Sequence, residues 1–101
     1  MIEKEIPPHL QEMESILNKA TDTLDTLEES ISELQRLQGD IQRLADYYDS
    51  DEWRKDFEAD EQGLYPRDMA RGVLSEDGIY NLLERNKETM ELLKPFLGET
   101  I

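Results

Sequence analysis

The chain contains no cysteine, which removes disulfides, thiolate zinc sites and a cysteine nucleophile together. It has a single histidine, His9, next to Pro8 in what reads as the first turn of a helix. No serine-and-acid constellation accompanies it, so triad chemistry is not expected. No apolar run exceeds two residues. That leaves neither a membrane-spanning stretch nor a signal-peptide core, and a cytoplasmic location is the default expectation. Bases are scarce too: 11 Lys and Arg stand against 25 Asp and Glu, for a net charge of −14. Nucleic acids and anionic membrane surfaces both require cationic side chains, so neither is an expected partner.

What is present is a set of aliphatic residues dispersed among charges. Leu, Ile, Val and Phe supply 24 of the 101 residues, above the range at which disorder becomes the default, while charged residues reach 36% against roughly 25% in an average globular chain. Narrow apolar stripes on otherwise charged helices account for both figures. The charge is uneven. Residues 1–34 carry nine acids and two bases, residues 40–61 nine acids and three bases, and residues 62–101 seven acids and five bases. Such acidity serves either as a solvated face that maintains solubility or as a surface directed at a basic partner.

The periodicity predicts an all-α, single-domain chain. Met1–Ile6 is a charged start that should fray, and Pro7-Pro8 opens a helix, proline losing no needed hydrogen bond there. From Leu10 the apolar positions run Leu10, Met13, Leu17, Ala20, Leu24, Leu27, Ile31, Leu34, by threes and fours, the heptad pattern of a coiled-coil seam. Leu37 comes one step early, and a seam resumed as Leu37, Ile41, Leu44, Tyr48 contains a three-residue slip. Gly39 leaves two readings, one helix spanning about residues 8–49 or a break into two. A single glycine costs a helix only about 1 kcal/mol, which favours continuity. Low-propensity residues gather between Thr21 and Thr26.

A middle segment, about 50–74, follows. Ser50 is placed to cap a short helix, with Asp51 and Glu52 at its positive end and Gly63 as its stop. Pro66 to Ala70 reads as a single helical turn closed by Gly72. A last helix, about 76–97, starts from Ser75 with the stripe Ile79, Leu83, Asn86, Met90, Leu93, Leu97. Asn86 either fixes register within that stripe or lies at its edge in contact with water. The result is an antiparallel helical hairpin, or three-helix arrangement, in which the return helix covers about half of the first. A second copy of the chain is the simplest cover for the remainder.

Six of the seven aromatics, Tyr47, Tyr48, Trp53, Phe57, Tyr65 and Tyr80, fall in or beside the middle segment. They form either a satellite core or an aromatic anchor inside an acidic rim. The acids of residues 49–61 fail as a calcium loop. Counting from Asp56, Glu61 stands where glycine is required and Arg67 where the bidentate glutamate belongs. An irregular divalent site is the remaining metal reading, and no catalytic, cofactor or metal residue is assigned. Arg71 is expected to pair with Asp56 or Asp60.

The run Tyr47-Tyr48-Asp49-Ser50-Asp51-Glu52-Trp53, then Asp56, Asp60-Glu61-Gln62-Gly63, Pro66-Arg67-Asp68 and Arg71-Gly72-Val73-Leu74-Ser75-Glu76-Asp77-Gly78-Ile79-Tyr80 resembles a small bacterial family, domain of unknown function 4298. The likeness spans residues 13–93, its helical flanks alike only in pattern. Gly78 departs from it, standing where a helix former, often Ala, is expected, which weakens the start of the last helix. The resemblance implies no activity; it supports the helical fold and a bacterial origin.

Two functions fit. The first is a non-enzymatic protein–protein interaction module, with Tyr47, Tyr48, Trp53, Asp56, Asp60 and Arg71 as candidate partner-binding residues. The second is an acidic inhibitor or immunity-type protein that blocks a basic site, with nucleic-acid mimicry as one route to that block. The partners expected are therefore a protein, basic in the second case, or a second copy of the chain.

Overall fold

The computed structural model describes residues 5–98; the start expected to fray lies, over Met1–Lys4, outside the described residues. The fold is all-α, with no strand among the described residues. Helix α1 is Pro8–Tyr48, α2 Asp51–Glu61 and α3 Gly78–Leu93, with short 3₁₀ turns at Gly72–Leu74 and Lys94–Leu97. The chain forms two compact units, Met1–Gln38 and Gly39–Ile101.

From Pro8 onward the first unit is one helix. Its opening turn closes as Leu10 N–H donates to Pro7 O at 3.1 Å, with Pro8 at the first helical position as expected. Weak propensity between Thr21 and Thr26 does not break it; Thr23 Oγ1 donates back to Lys19 O at 2.8 Å, so its hydroxyl is satisfied within the helix. Arg36 reaches Glu33 Oε2 through both Nε and Nη2. No residue of α1 is fully buried. Leu10, Met13, Leu17, Leu24 and Leu27 are each at least half exposed, whereas Ile31, Leu34 and Gln38 are half-buried.

That last residue corrects the expected slip in the seam. The half-buried positions pass from Leu34 to Gln38 to Ile41, while Leu37 remains 40% exposed. The heptad therefore continues without interruption, and one of its positions is polar. The Gln38 side-chain amide donates to Leu34 O at 3.0 Å, which lets the glutamine sit in the stripe with a donor engaged. α1 also runs unbroken through Gly39.

In the second unit, Ser50 caps α2 as its sequence position suggests. Its Oγ accepts from Trp53 N–H at 3.2 Å and donates to Tyr47 O, joining the end of α1 to the start of α2 through one hydroxyl. Helix α2 ends in a Schellman motif: Leu64 N–H bonds Ala59 O, Gly63 N–H bonds Asp60 O, and Gly63 takes the left-handed φ of 74° that glycine tolerates. The 3₁₀ turn Gly72–Leu74 packs against both α2 and α3. It supplies Leu74, 7% exposed, and α3 supplies Ile79, 2% exposed; among the described residues these two are the buried hydrophobic side chains. Helix α3 begins at Gly78, later than the Ser75 cap implied. Ser75 Oγ still accepts Gly78 N–H at 3.0 Å, but Asp77 is the residue at the cap position.

Candidate functional site

Each candidate residue of the middle segment falls in the second unit, and the fold draws them together. Tyr47, at the end of α1, donates its hydroxyl to Asp56 Oδ2 of α2 at 2.6 Å. Burial, reinforced by the hydrogen bond to Asp56 and by the negative charge of Asp56 and Glu52, pushes the Tyr47 phenol up to about 12. Tyr48 lies edge-on to Trp53, ring centroids 5.1 Å apart, and Trp53 stacks on Phe57 at 5.2 Å, arrangements favoured by the ring quadrupoles. The polar atoms of the first two are engaged as well. Trp53 Nε1 donates to Val73 O at 2.7 Å, and the Tyr48 hydroxyl to Glu76 O at 3.3 Å. The aromatic cluster thus braces the Gly72–Leu74 turn and the approach to α3. Tyr80 stays outside it, 53% exposed.

Arg71 is the centre of the intervening loop. Its Nε donates to Asp60 Oδ1 at 2.8 Å, with side chains 34% and 18% exposed respectively, so of the two partners expected it takes Asp60. The guanidinium also collects three backbone carbonyls: Nη1 donates to Arg67 O and Met69 O, and Nη2 to Pro66 O. This explains why Pro66 to Ala70 is not the helical turn its proline suggests. Only Met69 N–H to Pro66 O closes there, because the carbonyls converge on a cation instead of aligning along an axis. The planar fork of arginine is what allows one side chain to serve several acceptors. Sequence reasoning finds the Arg71–Asp60 pair from charge and proximity, but the carbonyl acceptors carry no residue signature and no signal could have revealed them.

The other acids of residues 49–61 do not converge. Asp49, Asp51, Glu52, Glu58 and Glu61 are exposed, and among the described residues no three His, Asp or Glu side chains gather to hold a metal ion. His9 lies exposed in the first turn of α1, in the other unit. No helix among the described residues is long and apolar enough to cross a membrane.

The second surface of note is on α1. Leu10, Met13, Leu17, Ala20, Leu24 and Leu27 form an uncovered apolar stripe with Ile16 at its margin. The hollows between them, one framed by Leu10, Met13, Glu14 and Leu17 and another by Ile16, Lys19, Ala20, Thr23 and Leu24, are gaps between successive turns of a single helix. They are recesses open to solvent, of the size and spacing that side chains of a facing helix fill.

A long heptad helix leading into a compact, aromatic-braced pair of shorter helices defines the class: a small all-α protein with an open helical face. Within that class, the chain belongs to the family described as Domain of unknown function (DUF4298), whose profile matches residues 10–94. No curated protein and no solved structure matches the chain.

Proposed function

We propose that this protein is a non-enzymatic interaction module that binds another protein through the apolar stripe of α1. One observation carries the reading: Leu10, Met13, Leu17, Leu24 and Leu27 recur at heptad spacing and each is at least half exposed. A contiguous apolar face of this kind, rimmed by charge, marks an interaction site more often than it marks idle surface. The candidate residues of the middle segment weigh less in this reading as direct contacts, because their polar atoms and rings are engaged within the second unit. Their role in it is to hold the second unit together.

The test compares tagged wild-type protein with the Leu17→Glu/Leu24→Glu variant as bait, using host extract supplemented with untagged chain. A protein retained by the wild type and lost by the variant, the untagged chain included, supports the module. Retention of nothing by the wild type sinks it.

The acidic-inhibitor reading is favoured by the exposed acids of α2, Asp51, Glu52, Glu58 and Glu61. It requires association that weakens steeply with salt, whereas docking through leucines persists at moderate ionic strength.

A further inference from the structure

We infer that the occupant of the α1 stripe is a second copy of this chain, bound antiparallel about a two-fold axis near residues 18 and 19. This rests on the interaction-module reading above and names its partner.

Three features of the stripe point to it. The first is its form. With Leu10 and Met13 as the first and fourth positions of a heptad, the hollow framed by Leu10, Met13, Glu14 and Leu17 has the outline of a hole that receives a coiled-coil knob. An α-helix carrying the same repeat fits such holes, and this chain carries it. The second is its extent. The stripe is exposed from Leu10 to Leu27, and half-burial begins at Ile31. A second α1 running the other way, with Leu10 against Leu27 and Met13 against Leu24, begins at Pro8 opposite residue 29 and so covers the exposed length and stops. Leu17 then faces Ala20 of the second copy, and Ala20 faces its Leu17. Large meets small at the central layers, which fills the seam evenly, whereas a parallel pair would stack Ala20 on Ala20 and leave a gap.

The third is charge. In this register Glu14 flanks Thr21 of the second copy and Ile16 flanks its Thr23, so no two acids oppose each other across the seam. Glu28 comes level with the first turn of the second α1, which has no acid of its own and whose positive dipole end favours a carboxylate nearby. The C-terminal ends of the two helices, where the nine acids and three bases of residues 40–61 begin, lie about 40 Å from the axis in opposite directions. A parallel pair would bring both acidic segments to the same end. A basic partner would find acids on one flank only: Glu14 and Glu28 lie on that side, while the positions immediately before Leu10, Leu17, Leu24 and Ile31, the other flank, hold His9, Ile16, Thr23 and Ser30.

The experiment uses the full chain, whose lack of native cysteine makes introduced thiols unambiguous. Sedimentation equilibrium is expected to give twice the 11.8 kDa of one chain, and Leu17→Glu/Leu24→Glu to give a single chain with Trp53 emission unchanged, showing that the second unit remains folded. Mixing Met13→Cys with Leu24→Cys under mild oxidation is expected to yield the mixed disulfide, with neither variant cross-linking efficiently alone. Efficient self-cross-linking of each variant, with no mixed product, overturns the antiparallel register. A wild-type chain that stays monomeric throughout overturns the second copy as occupant. If that monomer still retains a stripe-dependent protein in the bait experiment, the module reading stands without this inference; if it retains nothing, both fall.

Discussion

Tyr47 and Asp56 show how one pair couples two helices and leaves a measurable mark. The phenol is raised from the ordinary 10.0 to about 12, first by burial and then by Asp56, which accepts its proton in a 2.6 Å hydrogen bond. A pKa raised in the folded state means that folding favours the protonated form. The stabilisation from Tyr47 is therefore complete below pH 10, declines as pH rises, and is gone once pH passes about 12. Spectrophotometric titration should show a phenolate step near pH 12 that Tyr47→Phe removes, the rest of the curve being unchanged. Persistence of that step in Tyr47→Phe would assign it elsewhere and break the link to Asp56. Arg71 works at the same scale by different means, holding Asp60 and three carbonyls with one guanidinium; a lysine, with a compact ammonium of three donors, cannot reproduce that spread.

Elements announced by their ends or their period were legible in the sequence, and those shaped by backbone acceptors were not. Ser50 followed by Asp51 and Glu52 marked the start of α2, Gly63 its end, and the heptad stripe marked α1, because each of these signals resides in a side chain or in its absence. In the loop after Gly63, proline's preference for a first helical position points to a helical turn, whereas the structure has one hydrogen-bonded turn with its carbonyls gathered on the Arg71 guanidinium. A seam traced through apolar residues alone slips at Leu37, because a half-buried Gln38 carries no apolar signal. In the middle segment, charge and proximity point to the Arg71–Asp60 pair that the structure forms, whereas the carbonyls of Val73 and Glu76 that fix the aromatics have no sequence mark. Gly39 is the sharpest test of α1 as an element. It is exposed within the helix, and a Cβ built there meets no atom within 4 Å. Gly39→Ala should thus stabilise the protein by about 0.5–1 kcal/mol through helix propensity alone, read as a raised melting temperature. An unchanged or lowered value would argue against a continuous helix at that position. Gly78 behaves oppositely, since a Cβ there would come closer than 3.0 Å to the Gly72 carbonyl oxygen.

At the scale of the whole molecule, stability is distributed unequally. The second unit contains Leu74, Ile79, the aromatic brace and the Arg71–Asp60 pair, whereas the first is a single helix whose leucines from Leu10 to Leu27 are exposed. A lone helix is marginal in water even when its sequence favours helix, because nucleation is costly and packing supplies most of the stability. The C-terminal continuation of the first unit's helix is anchored in the second unit, and on the second-copy proposal the rest of its order comes from the cover of its stripe and depends on concentration by mass action. Two heat-induced transitions are expected. The earlier one, seen by circular dichroism and silent in fluorescence because the only tryptophan is Trp53, should move to higher temperature as protein concentration rises. The later one, seen by both probes, should stay fixed. Coincident transitions in both probes would mean that the two units unfold as one, and a first transition independent of concentration would mean that its order comes from within the chain.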